Sequence, residues 1–258
     1  MVRVKSLLMC MRLEDSSKTF CVREFDSPTR GALGQSLSEL EKRVAQLERI
    51  RFACPDHVAE VDESMRRARY DVEVVKRIYS VVWKWVPPGY YEASLQERAR
   101  LLGVSSTQFL CKSLLMENKN GTGAKDHPRF VLVVIPYVCT LDSRKLANAI
   151  RSLRPNPKDR LDYSEFDIRV ASAEDNDTLT GFSHNSVTPF GLLDPTLQIV
   201  LSDSVVDLKF FFMGGGHVSL KLGMAVSDFV KATSAIVANI TQPRVSEAED
   251  DFGMADGK

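Results

Sequence analysis

The sequence predicts an α+β fold: a mixed sheet with helices around it, preceded by an N-terminal helical hairpin or coiled-coil segment. Three observations carry the prediction. Apolar residues recur on alternating three- and four-residue steps between Leu37 and Val82. Short, valine-rich apolar runs follow from Phe109 onward. Capped helical segments separate those runs irregularly, unlike the regular alternation of a βαβ array.

A chain of 258 residues has room for one ordinary domain and an appendage. Its 44% hydrophobic and 26% charged residues describe a folded globular chain, not a disordered one. Lys plus Arg and Asp plus Glu both number 34, so no overall basic field draws it to nucleic acid or an anionic membrane. Any RNA contact must come from a local patch. Cys10, Cys21, Cys54, Cys111 and Cys139 show no CxxC pair and no Cys/His spacing for zinc, which suits a reducing compartment and implies no metal. No stretch approaches the ~20 apolar residues of a membrane span. The apolar run Leu7 to Met11, ended by Arg12, is short for a secretory signal of about 7–15 apolar residues. The expected location is the cytoplasm. Mitochondrial import stays open, because Arg3, Lys5 and Arg12 stand without an acid in the opening segment.

Taken in order, residues 1–34 lack a sustained period and are expected to be poorly ordered. Ser36 with Glu39 is a capping-box signature, and Leu37, Leu40, Val44 and Leu47 form the apolar seam of the helix it opens. Pro55 interrupts the helix. The register then resumes as Val58, Val61, Met65, Ala68, Val72, Val75, Tyr79 and Val82. Residues 35–86 therefore read as a hairpin or cap on the core, or as a coiled coil with another copy. Arg66, Arg67, Arg69, Lys76, Arg77 and Lys84 make the strongest basic patch, either a solvated face or a phosphate-binding one. Trp83 and Trp85 are expected to anchor the helix in the core.

Val86-Pro-Pro-Gly marks a boundary, after which residues 87–242 form the main domain. Ser94 and Glu97 cap a helix that stops at Gly103. Strands are expected over Phe109–Met116 and Phe130–Val138, a helix after Asp142 through Leu153, and a strand near Phe166–Ala171. Ser172 and Asp175 open a short acidic helix. Beyond it, Leu197–Leu201 and Val205–Met213 read as strands, Gly214–Gly216 as a turn, and His217–Leu222 as the return. Ser227 caps a last helix, Ala235–Ile240 closes the domain, and residues 243–258 read as an acidic disordered tail.

Between the acidic helix and the strand at Leu197 lies Leu-Thr-Gly-Phe-Ser-His-Asn-Ser-Val-Thr-Pro-Phe-Gly-Leu-Leu, Leu179 to Leu193. Its glycines tolerate unusual dihedrals and Pro189 stiffens the exit, so it can present bare backbone N–H groups to a polar ligand. Lys112 is a lone charge in an apolar strand. Burying its ammonium costs several kcal/mol without an anionic partner, unless the side chain snorkels to solvent from the sheet edge. His184 has the ordinary pKa of a general base, or simply bonds the local backbone. Gly214, Gly215 and Gly216 lack the Lys-Ser/Thr and helix start of a phosphate loop, which favours a tight turn at the wall of a pocket. His217 has no partner at metal-ligand spacing.

Lys112 in Phe-Leu-Cys-Lys-Ser-Leu-Leu-Met, the Val-Thr-Pro-Phe-Gly core at Val187 to Gly191, and the glycines in Phe-Phe-Met-Gly-Gly-Gly-His-Val stand in an order that resembles the YbaK and prolyl-tRNA-synthetase-associated editing domains. The likeness covers about Pro88 to Ile240 and is most specific at Val187 to Gly191. It implies a mixed sheet curled partly toward a barrel, with helices outside, and an aminoacyl-tRNA deacylase that hydrolyses a mischarged ester. It implies a binding and positioning role for Lys112 at the tRNA acceptor end, and a loop of Asn185, Ser186, Thr188 and Pro189 that carries the catalysis. Ser113, Gly181, His184, Val187, Phe190, Gly191 and Gly214 to Gly216 would surround the substrate. No metal or organic cofactor is implied. The family usually has Gly-x-x-x-Pro where this chain has Asn185-Ser-Val-Thr-Pro189. Asparagine is the next most tolerant residue for a left-handed turn. A trans-editing hydrolase for a small amino acid is thus expected, the alternative being a non-catalytic tRNA-binding scaffold whose helical region recruits a synthetase or self-associates.

Overall fold

The computed structural model describes residues 27–244, with side chains from Gln35 onward; the expectations for residues 1–26 and 245–258 lie outside the described residues. The described residues divide into two units, with the boundary between Glu48 and Arg49.

The described part of the first unit belongs to α1 (Ser27–Arg51), whose last three residues fall in the second. It begins well before Ser36, so Ser36 is an interior residue and not the expected cap. Pro28 is compatible with that earlier start, because the first N–H groups of a helix have no intrahelical acceptor to lose. Leu37, Leu40, Val44 and Leu47 are 52–59% exposed.

In the second unit Pro55 falls in the break between helices. The chain becomes helical again only at α2 (Glu63–Tyr70), where the Asp62 carboxylate caps the Met65 N–H at 2.8 Å. The helix ends in a π-helical turn, Asp71–Val75. Met65, Ala68 and Val72 are fully buried, whereas Val75 and Tyr79 are exposed, so the expected register stops short of Val82. Residues Val82–Trp85 form strand β1 instead. Its β-branched and aromatic side chains suit a pleated, half-buried surface better than a helix.

The larger sheet has five strands in the order β5 (Ile168–Val170), β2 (Cys111–Asn118), β3 (Phe130–Pro136), β6 (Gln198–Ser202), β9 (Ile236–Ala238). β2 runs antiparallel to both neighbours, while β3, β6 and β9 are mutually parallel. The smaller sheet is antiparallel, β1 beside β8 (Leu220–Ala225) beside β7 (Phe210–His217). A bridge between Leu110 and Phe212 joins the start of β2 to β7. A pair of short strands, β4 (Cys139–Leu141) with β10 (Thr241–Pro243), completes the described sheets, none of which closes into a barrel.

β3 and β6 are buried on both faces, which explains their unbroken apolar runs. One face of the large sheet (Cys111, Leu115, Leu132, Val134, Leu201) packs with Phe211, Met213, Leu222 and Met224 of the small sheet and with Phe190 and Phe229. Each such aromatic or leucine contributes about 1.5–3 kcal/mol by leaving water. The other face (Met116, Val131, Val133, Ile135, Val200) is covered by Leu146 and Ile150 of α4 (Ser143–Arg151). The caps of α3 (Leu95–Leu102), α4 and α5 (Ala173–Thr180) fall at Ser94, Asp142 and Ser172 as expected. α6 (Val226–Thr233) starts at Val226, and Ser227 lies inside it.

Candidate functional site

The loop from Gly181 to Gly191 is built by local chemistry. Gly181 ends α5 at φ 72°, and Thr180 Oγ1 accepts from Phe182 N at 3.1 Å while donating to Asn176 O at 2.6 Å. Ser183 to Ser186 form a tight turn closed by Ser186 N–H donating to Ser183 O at 3.1 Å. Asn185 occupies the left-handed position of that turn at φ 64°, the conformation a glycine would take most easily. Ser186, Thr188, Pro189 and Phe190 are buried, and His184 is exposed. Phe190 meets Phe229 edge-on at 6.0 Å.

Two further segments hold the loop: α2, which was not expected near it, and the glycine segment, which was expected there as a pocket wall. From α2, the Arg67 guanidinium donates to Gly181 O at 2.7 Å and to Gly191 O, and it lies 5.0 Å over the Phe182 ring. The Asp71 carboxylate accepts from Gly191 N–H at 2.9 Å. One side chain thus grips both ends of the loop. Arg69 is also engaged internally, by Glu73 at 2.5 Å, so part of the expected basic patch serves packing and not solvent.

From β7 come the three glycines, and here the expectation of a glycine turn is corrected. Gly214, Gly215 and Gly216 lie within the strand, at a register irregularity, and the hairpin turn falls at Val218–Ser219. The glycines serve close approach. A Cβ on Gly214 would sit 2.2 Å from Val187 O, and one on Gly216, which has φ 87°, would sit 2.9 Å from the Ala68 Cβ. Gly216 N–H donates to Ser186 O at 3.1 Å, and Gly216 O accepts from Ser64 Oγ at 2.8 Å.

Strand alternation separates Lys112 from Ser113. Ser113 shares the face of Cys111 and Leu115, toward the cluster that contains Phe190, whereas Lys112 shares the face of Leu114 and Met116. The Lys112 ammonium lies 5.6 Å from the Tyr137 ring, and the Arg98 guanidinium lies over the rings of both Tyr137 and Tyr91. Tyr91 donates its hydroxyl proton to Asn185 O at 2.7 Å. Lys112 and the loop therefore connect through two tyrosines and Arg98.

Around these tyrosines stand two buried cations. Arg98 stacks on Tyr90, Tyr91 and Tyr137 and donates to Tyr91 O and Ala93 O. Lys221, 4% exposed, donates to the Tyr91 hydroxyl at 2.6 Å and to Val218 O at 2.9 Å. Burial, with repulsion from Arg98 second, pushes the Lys221 ammonium down to a pKa of about 7. Burial likewise holds the Tyr91 hydroxyl well above its ordinary value, so it stays a proton donor. Lys221 interrupts an apolar strand just as Lys112 does, and that signal could have found it. Arg67 left no comparable trace, since it reads as one arginine among several on a polar face.

Among the described residues, Ser113 Oγ and Thr188 Oγ1 are buried without a hydrogen-bond partner. Bonds within the loop and its preceding helix commit the N–H groups of Phe182 and Ser186, and Asp71 takes that of Gly191. Those of Asn185, Val187 and Thr188 donate to no acceptor among the described residues. A separate cleft of about 350 Å³ is lined by Asp142, Arg144, Lys145, Asn148, Tyr163 and Asn239, and contains none of the expected site residues. Among the described residues no group of His, Cys, Asp and Glu could hold a metal, and no helix is long and apolar enough to cross a membrane.

Solved structures share the fold. A protein described, provisionally, as a trans-editing enzyme for prolyl tRNA synthetase superposes with a TM-score of 0.56 at 19% identity, covering 71% of this chain and 99% of its own. A hypothetical protein gives 0.52 at 22% identity, covering 68% and 99%. A scaffold used for computational epitope grafting gives 0.55 at 18% identity, covering 71% and 100%. No curated protein matches in sequence. The profile of the aminoacyl-tRNA editing domain matches residues 92–232, which hold Lys112, the whole loop, the three glycines and Lys221, and the chain belongs to that family.

Proposed function

We propose that the protein is a free-standing editing hydrolase, a deacylase that cleaves the ester between a small, wrongly attached amino acid and the acceptor end of tRNA. The observation that carries the reading is Asn185. It stands where relatives usually have glycine, yet it holds the left-handed turn, and the N–H groups of the half-buried Asn185 and Val187 have no acceptor among the described residues and are free to meet an incoming oxygen. In this mechanism water attacks the ester carbonyl, those N–H groups stabilise the developing oxyanion, and its collapse breaks the ester C–O bond, the water's proton passing to the departing ribose oxygen as the amino acid leaves. Lys112, on the other face of β2 and next to Tyr137 at the end of the strand, positions the acceptor end from outside the loop.

Ser113, half-buried with an unpaired hydroxyl, supplies a hydrogen bond to the bound substrate, while the fully buried Thr188 supports the loop behind it. Phe190, Gly181, Gly191 and Gly214 to Gly216 pack against the loop and the core, and hold the loop in place around the reacting centre. His184 remains a loop neighbour of the reacting centre, whereas Ser186, expected in the catalytic set, is buried with its N–H and hydroxyl both donated to Ser183 O and so serves the turn. A pocket that sorts by size gains only ~1–3 kcal/mol per methylene, which is why a second sieving enzyme is useful. The chemistry needs no metal or cofactor. Action in trans is supported by the fold neighbour described as serving prolyl tRNA synthetase.

A second reading, a non-catalytic scaffold that binds tRNA and recruits a synthetase or a second copy, draws on the exposed apolar seam of α1. Release of free amino acid from a panel of mischarged tRNAs separates the two, because a scaffold binds without turnover.

A further inference from the structure

The deacylase reading leaves Lys221 without a role, although its placement is costly. An ammonium 4% exposed, beside the Arg98 guanidinium, is held by a hydroxyl and a carbonyl and not by a carboxylate. Its one side-chain acceptor, Tyr91, is the residue that donates to Asn185 O at 2.7 Å. Three groups thus form a strut: ammonium to phenol at 2.6 Å, phenol to loop carbonyl, and carbonyl to the peptide whose dihedrals set the turn. We propose that Lys221 is a positioning residue for deacylation, which acts through Tyr91 to fix the Asn185 carbonyl and so aims the loop N–H groups. This rests on the deacylase reading of the same loop.

The charge of Lys221 matters to the strut. A charged donor polarises the Tyr91 hydroxyl and strengthens its bond to Asn185 O, and hydrogen-bond chains reinforce one another in this way. With its pKa lowered to about 7, Lys221 loses that charge near neutrality. The strut is then strongest below pH 7 and slackens above it. The titratable and charged groups that face Lys221 are Tyr90 and Tyr91, Arg98 of α3, Lys84 directly opposite it on β1, and His217 of β7, with Lys112 and Tyr137 beyond Tyr91. Of these, His217 is the rival for a transition near neutrality.

The test uses the full chain in two parallel measurements. The first is the pH profile of kcat and KM for deacylation. The second is the NMR shift of the Asn185 and Ser186 amides against pH in the free protein. Lys221→Met removes the charge at similar volume, Tyr91→Phe removes only the hydroxyl, and His217→Asn controls for the rival.

The wild type is expected to lose kcat above a transition near pH 7, with the amides moving through the same transition. Lys221→Met and Tyr91→Phe are expected to lose both transitions, with kcat down about tenfold and KM changed less than about twofold. His217→Asn is expected to keep them. A transition that survives in Tyr91→Phe, or that vanishes in His217→Asn, overturns the proposal. If the wild type deacylates nothing, the proposed function fails, and the amide titration still decides the strut. Movement in the wild type but not in Tyr91→Phe supports it, and no movement in the wild type overturns it.

Discussion

The α-carbon of Gly214 lies so close to the carbonyl of Val187 that a methyl group on it would stand 2.2 Å from the oxygen. No side-chain adjustment relieves such a contact, because the obstacle is backbone. Gly214→Ala is therefore expected to push the Val187–Thr188 peptide away from β7. Deacylation should fall by at least about a hundredfold, since misplacement near 1 Å costs that much at a reacting centre. Rates and a melting curve check this together. Activity close to wild type would show that the loop does not need its seat on the strand.

Asn185 tests the turn from the other side. At φ 64° glycine carries no Cβ penalty, so Asn185→Gly is expected to keep both stability and deacylation. Asn185→Val places a β-branched residue in the same well and should cost on the order of 1–3 kcal/mol, measured by urea unfolding.

Arg67→Met removes the grip on Gly181 O and Gly191 O and leaves two loop carbonyls without their charged donor. A loss of about 2–4 kcal/mol in unfolding free energy is expected. Faster hydrogen exchange should be confined to the loop. An unchanged loop would mean that Asp71 and the glycine strand hold it alone.

Lys221 gives a pH dependence of stability whose sign follows from its depressed pKa. The folded lysine titrates near pH 7 and the unfolded one near its ordinary value of 10.5. Between these values the unfolded chain binds more protons, so stability rises with pH across that window. Below pH 7 both states are charged, and the full cost of burying the ammonium is present. Lys221→Met should flatten the rise in unfolding free energy between about pH 7 and pH 10. An unchanged slope would place the titrating group elsewhere.

Much of this was legible in the sequence, for identifiable reasons. β2, β3 and β6 announce themselves by apolar runs, the capping residues Ser94, Asp142 and Ser172 by a hydroxyl or carboxylate ahead of a helical period, and the turn at Asn185 by its resemblance to a glycine motif. What failed to read did so because the cause is tertiary. The seam of Val75, Tyr79 and Val82 fits a helix locally, but pairing Val82–Trp85 with β8 satisfies a whole edge of the small sheet. The triple glycine looks like a turn, whereas Val187, Ala68 and Ser64 press on it from residues distant in sequence. α2, which reads as part of a separate arm, places Arg67 and Asp71 on the loop.

The central claim is that Lys112 and the Asn185–Pro189 loop serve one deacylation site, linked through Tyr137, Arg98 and Tyr91. The most direct test is release of free amino acid from mischarged tRNAs carrying small residues, with wild type and Lys112→Ala compared at equal melting temperature. The account predicts turnover by the wild type on at least one such tRNA and at least a hundredfold less by Lys112→Ala. Tight tRNA binding without release, or equal turnover by the two proteins, would contradict it.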